Sequence, residues 1–256
     1  MSLYVVKLTE DNVDDVLSRI QFAPAESSSN SYGNLSIKVQ IADNDGFVHP
    51  LVMETPWMRA FVGVSSFEVT SRNKTTYNKN TLPVSFHNLD SDPFQKVYKT
   101  FCEKLDSKVV KMGVDNATEW LQMENPDEAV VRAFYTPKIS YSKKKTGDIN
   151  PRFPPKVQFK LPSFMNKDGS ERFTTRVYDA EVPGKTFDNL KQDIKRGAQV
   201  KNLIECTGIW IVNKKFGVGW RSLQIKLKTP MQRPTYIFQE DSDSEDNQQG
   251  EGKRCS

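Results

Sequence analysis

The clearest alternation in the chain runs from Leu35 to Ile41. Leu35, Ile37, Val39 and Ile41 alternate there with Ser36, Lys38 and Gln40. Successive side chains of an extended strand point to opposite faces, so a period of two predicts a half-buried strand. Similar runs predict strands over Leu3–Leu8, near Leu51–Met53, over Ala60–Val69, over Leu82–Phe86, and at Tyr135–Tyr141 and Val157–Leu161. The strongest pair comes last: Leu203–Val212 and Gly219–Leu227, joined by the five residues Asn213–Gly217. The period changes after Asp92-Pro93. Asp favours the position before a helix and Pro its first turn. Phe94, Val97, Phe101 and Leu105 then recur at helical spacing, and Gly113 is the expected end. Shorter helical turns are expected near Glu119–Met123, Asp127–Phe134 and Phe187–Lys195.

This order predicts a mainly β body with inserted helices over residues 1–238, then a disordered acidic tail over 239–256. No linker composition divides the body, and no internal repeat is visible. Hydrophobic residues at 37% leave a core with a large polar surface, and aromatics at 11% exclude a chain that is mostly disordered. The charge is asymmetric rather than large. Lys138 to Arg233 is rich in Lys and Arg, whereas Glu240 to Glu251 carries six carboxylates and no cation. A basic body with an acidic appendage points to a polyanion partner.

Several chemistries lack support. Cys102, Cys206 and Cys255 are far apart and odd in number, against a disulfide framework. With His49 and His87 equally scattered, no zinc spacing appears. Phe216–Trp220 holds two glycines but lacks the Gly-Lys-Ser/Thr ending of a phosphate loop. No apolar run approaches the roughly 18 residues of a membrane span, and the N-terminus has no signal-peptide pattern. The expectation is a soluble, intracellular, non-enzymatic protein with no cofactor and no metal.

What the sequence does offer is basic and aromatic residues mixed on strands and loops. Single-stranded nucleic acid is held by cations along its phosphates and by aromatic faces on which bases stack. Strict alternation after Trp220 puts Trp220, Ser222, Gln224, Lys226 and Lys228 on one face, and Arg221, Leu223, Ile225 and Leu227 on the other, which is core-like apart from Arg221 at its start. The first face, with Lys214 and Lys215 in the preceding turn, is the leading candidate. The plainer reading keeps Trp220 as a core anchor, since tryptophan is highly buried on average. Lys143, Lys144 and Lys145, with Arg152 and Phe153 beyond them, form a second candidate or simply a solvated loop. Trp57 and Arg59 form a third, or a strand start with Trp57 packed inside.

Two segments carry a family resemblance. PLVMETPWMRAFVGVSSF (Pro50–Phe67) and IWIVNKKFGVGWRSLQIKLKTP (Ile209–Pro230) are similar to segments of single-stranded DNA-binding proteins of nucleocytoplasmic large DNA viruses. The resemblance implies an OB-like β-barrel that binds single-stranded DNA during viral replication. The layout of barrel plus acidic tail also resembles single-strand-binding proteins of the phage T7 type. Those tails end in an aromatic residue, whereas this chain ends in Lys-Arg-Cys-Ser. The expected partners are single-stranded DNA and, through the tail, replication proteins. A homo-oligomer is compatible with the sequence. The alternative is a structural, virion-associated protein whose charge serves protein contacts.

Overall fold

A computed structural model describes residues 3–27, 34–70 and 76–228. The acidic tail expected over 239–256 lies outside the described residues. The chain begins with a short 3-10 turn and helix α1 (Val13–Ser18), followed by strands β1 (Ile20–Phe22), β2 (Glu26–Ser27), β3 (Leu35–Ile37) and β4 (Val39–Ala42). Strands β5 (Val48–Pro50), β6 (Val52–Glu54) and β7 (Met58–Ala60) lead to a hairpin of β8 (Ser65–Thr70) and β9 (Thr76–Ser85). Helices α2 (Pro93–Asp115), α3 (Ala117–Leu121) and α4 (Glu128–Phe134) come next. Then follow β10 (Tyr135–Thr136), β11 (Lys156–Lys160), β12 (Ser163–Met165), β13 (Glu171–Phe173), β14 (Arg176–Asp179) and β15 (Thr186–Phe187). A single turn, α5 (Leu190–Asp193), precedes the two long strands β16 (Gln199–Val212) and β17 (Lys215–Lys228).

The result is a mixed β/α protein with a sheet-rich core. Its main pairings run in a closed circuit: β17 pairs β16 and β11, β11 pairs β9, β9 pairs β7, and β7 returns to β16. Met58, Leu82, Phe159, Val200, Ile225 and Leu227 point inward from these five strands, each at most 0% exposed. The separate sheet β1-β4-β5 stays open. Helix α2 packs on the core through Val97, Phe101, Leu105 and Val109, at roughly 1.5–3 kcal/mol per fully buried side chain.

The β16–β17 hairpin is longer and tighter than expected. Its connection is only Asn213-Lys214, with φ of 51° and 63°. Positive φ at both central residues matches the turn type whose twist suits a hairpin. The hairpin also contains two irregularities. The partner of Leu203 is Gln224 but that of Ile204 is Ser222, so Leu223 is an extra residue on β17. The partner of Cys206 is Trp220 but that of Gly208 is Gly219, so Thr207 is extra on β16. Gly208 has φ +107°, and a Cβ there would lie 2.4 Å from the Ile37 carbonyl oxygen. Only glycine fits this bulge.

Several expected elements shift for tertiary reasons. The Leu35–Ile41 run splits at Lys38 into β3 and β4, which join different sheets. Leu3–Leu8 makes only the bridge Val6–Met53. Ala60–Val69 breaks after Ala60 and resumes at Ser65. Tyr135–Tyr141 is reduced to two strand residues. Gly113 does not end α2. It lies inside the helix because a Cβ there would be 2.8 Å from the Phe216 ring, so the glycine lets helix and hairpin pack closely.

Candidate nucleic-acid interface

The body concentrates aromatic and basic side chains where β7 meets β16 and the start of α2. Thr55 fixes the chain entering this region. Its N–H donates to the Asn202 carbonyl (2.8 Å), and its Oγ1 accepts from the Asn202 N–H (2.9 Å). Ser222 Oγ donates to Asn202 Oδ1 (3.0 Å), and Thr175 Oγ1 donates to the Ser222 carbonyl (2.8 Å). These buried hydrogen bonds tie the end of β6 to β16 and β17, with Asn202 Nδ2 left without a partner among the described residues. Fully buried Gln95 holds the next residue but one, donating from Nε2 to the Trp57 carbonyl at 2.8 Å. Asp92 caps α2 by accepting from the N–H groups of Phe94 and Gln95. The cap brings the Phe94 ring to the surface, 65% exposed.

A cleft of about 430 Å³ lies between these elements, lined among others by Trp57, Phe94, Lys7, Lys201 and Glu54. Glu54 and Lys201 also border a smaller hollow with Tyr178, Gln224 and Lys226. Lys228 Nζ stands 4.8 Å from the centroid of the Trp57 ring. The register sets Arg59 opposite Gln199 on one side and Lys228 opposite Gln199 on the other, so Arg59 and Lys228 belong to one lateral row. Lys201 is held by Glu54 at 2.6 Å, and the hydrogen bond from Lys201 keeps the Glu54 carboxyl below its usual range despite partial burial. Among the described residues, Lys7, Arg59, Lys226 and Lys228 form no ion pair. Three partly exposed rings beside four unpaired cations can hold a polyanion that carries stackable planar groups.

The structure brings Trp57, Arg59, Lys226 and Lys228 of the sequence candidates together. It separates the others. Trp220 is 3% exposed and pairs with Cys206 on the inner face, so the expected stacking position is corrected. The cause is the extra residue Leu223. Before it Trp220 and Ser222 point inward, and after it Ile225 and Leu227 do, which leaves Lys226 and Lys228 outside. Trp220 and the two lysines therefore occupy opposite faces of one strand. Lys214 and Lys215 sit at the far end of the hairpin, roughly 40 Å along the strand from Lys228, so they do not share its groove. Lys143, Lys144, Lys145, Arg152 and Phe153 are exposed in the loop before β11, tied to it by the bridge between Ser140 and Lys156. They do not line the cleft.

Sequence reading missed Phe94, Tyr178, Lys201 and Lys7. Helical spacing places Phe94 on the buried face of α2, but it lies in the first turn and its ring is exposed. Tyr178 lies on a short strand without a strong alternation. Its position comes from the parallel pairing of β14 with β17, which sets Tyr178 beside Lys226.

Residues 84–240 match a protein family described as "Family of unknown function (DUF5871)". The chain belongs to this family. The match takes in β11 to β17 and α2, though not Trp57 or Arg59. The family description names no activity and no virus. No curated protein matches the chain. Among solved structures, the chain is similar to gp2.5, a single-stranded DNA-binding protein encoded by bacteriophage T7. The identity is 14%, over 79% of this chain and 100% of that one, with a TM-score of 0.41. It is also similar to a C-terminally truncated single-stranded DNA-binding protein of bacteriophage Enc34. There the identity is 9%, over 82% and 96%, with a TM-score of 0.38. No helix among the described residues is long and apolar enough to cross a membrane. Among those residues, no group of three or more His, Cys, Asp or Glu side chains is placed to hold a metal ion.

Proposed function

We propose that this protein binds single-stranded DNA without sequence preference, on an OB-like barrel, and acts by binding rather than by catalysis. The observation that carries the reading is the cleft at Trp57. Partly exposed Trp57 and Phe94 in the cleft, with Tyr178 at the adjoining hollow, offer flat faces for bases. Lys7 in the cleft, Lys226 at the hollow, Lys228 over Trp57 and Arg59 in the lateral row of Lys228 form no ion pair among the described residues and offer charge for phosphates. The five-strand circuit supports the barrel assignment. Burial pushes the Cys102 and Cys206 thiols up to about 12, opposite to the lowering that would make either a nucleophile. Action in viral replication belongs to the same proposal and rests on the sequence resemblance.

The test is a fluorescence-anisotropy titration with oligo-dT and with duplex of equal length at matched salt. Single strands are expected to bind more tightly and to quench tryptophan emission. Trp57→Ala is expected to cost about 1–3 kcal/mol of that binding with an unchanged unfolding temperature. Equal affinity for both DNA forms would instead leave the protein as a generic basic surface, as a virion-associated component would be.

A further inference from the structure

We propose that the β8–β9 ribbon is an arm that extends the DNA track. Its aromatic face, formed by Phe67 and Tyr77 with Lys79, takes nucleotides that run past Lys160 beyond the barrel. The inference rests on the reading that the cleft binds single-stranded DNA.

Strand β9 is bonded to β11 only from Thr81 to Ser85, with a last bond from the Leu161 N–H to the Asn80 carbonyl. From Thr76 to Lys79 it pairs with β8 alone. A two-stranded ribbon of this kind is marginal in water unless one face is covered. Here the two faces differ. On one, Ser66 Oγ donates to Asn80 Oδ1, and Asn80 Nδ2 donates to Ser163 Oγ (2.8 Å) and to Glu171 Oε1. Glu171 in turn pairs with Lys191 at 2.6 Å. This network ties the base of the ribbon to the β12–β13 hairpin. Among the described residues, the opposite face shows no such attachment. Phe67 is 58% and Tyr77 51% exposed, and the register of Phe67 with Lys79 and of Val69 with Tyr77 puts all four on that side. Phe67 and Tyr77 are diagonal neighbours, roughly 7–8 Å apart.

Alternation carries this face into the outer face of the barrel. Two residues beyond Lys79, Thr81 pairs with Lys160, and Lys160 pairs with Arg221. Farther along β17 on the same outer side lies Lys226 at the hollow beside the cleft. Lys79 and Lys160 form no ion pair among the described residues, and the nearby Lys79 charge adds to desolvation in lowering the proton affinity of Lys160. Two unpaired cations facing the same way, with two open rings, complement a strand of phosphates and bases. A second copy of the chain docked on this face would instead set Lys79 and Lys160 against their own like charges.

The experiment compares wild type, Phe67→Ala/Tyr77→Ala and Trp57→Ala on oligo-dT of about 8 and about 30 nucleotides, lengths that bracket the roughly 4–16 nucleotides an OB fold covers. Both arm rings are exposed, so the double variant should keep the wild-type unfolding temperature. It is expected to bind the long oligonucleotide roughly ten-fold or more weakly and the short one as wild type does. Trp57→Ala should weaken both. Wild-type affinity of the double variant on both lengths, while wild type binds both, overturns the arm and leaves the cleft intact. Equal loss on both lengths also overturns the extension, because the rings would then belong to the primary site. A shift in sedimentation from dimer to monomer with unchanged DNA affinity assigns the face to a second copy and overturns the proposal. Failure of wild type to bind either oligonucleotide removes the DNA reading itself.

Discussion

Replacing Lys226 and Lys228 with alanine tests whether the cleft contacts phosphates. Among the described residues, Lys7 in the cleft, Lys226 at the adjoining hollow, Lys228 over Trp57 and Arg59 in the same lateral row form no ion pair, whereas Lys201 is neutralised by Glu54. Each phosphate neutralised on a single strand contributes about -0.7 to the slope of log affinity against log salt. Four such contacts give a slope of about -2.8, or about a 50-fold loss of affinity between 50 and 200 mM salt. With two lysines removed, the slope should fall to about -1.4 and the loss to about seven-fold. The assay is an anisotropy titration of labelled oligo-dT at several salt concentrations in that range. Circular dichroism and an unfolding temperature confirm that the variant is folded. Both lysines lie on the outer face, beyond the Leu223 bulge, so stability should change little. An unchanged slope in a folded double variant would refute the reasoning, because neither lysine would then be touching a phosphate.

Trp220→Ala should destabilise the protein by about 3–5 kcal/mol as a core truncation and leave binding per folded molecule unchanged. A chemical-denaturation curve and a DNA titration separate this from the opposite outcome, intact stability with lost binding. Asp106 is buried, accepts from the Tyr135 hydroxyl (2.6 Å) and the Lys138 N–H (2.9 Å), and burial raises its carboxyl to about 6 from an ordinary 3.8. Between these values the folded state holds the extra proton, so this group's stabilising share is full below about pH 4 and is lost as pH rises through about 6, by about 3 kcal/mol at most. Unfolding curves of wild type and Asp106→Asn from pH 4 to 7 should converge or cross accordingly, and parallel curves would reject the assignment. Truncation after Phe238 removes the six carboxylates of Glu240–Glu251 and should tighten DNA binding at low salt, with little effect at high salt, where screening shortens to roughly 3 Å. Equal affinity of full-length and truncated chains at low salt would rule out competition by the tail.

Local chemistry made part of this protein legible from its sequence. Asp92-Pro93 starts α2 because a capping carboxylate and a fixed φ suit a first helical turn wherever the helix lies. Alternating residues mark β16 and β17 because strand side chains point to two faces in any sheet. The basic and aromatic character of the body is likewise a property of composition. What the sequence left open depends on partners distant along the chain. Alternation defines faces only while the register holds, and Leu223 and Thr207 each shift it by one residue. That one-residue slip turns Trp220 inward and leaves Lys226 and Lys228 outside, and no local propensity marks it. Gly113 reads as a helix end until Phe216 is seen against it. The cleft is a tertiary product as well. Thr55 bonded to Asn202 and Gln95 bonded to the Trp57 carbonyl bring the Trp57 ring to Lys228, and hydrogen bonds between residues so far apart in the chain exist only once the strands have paired.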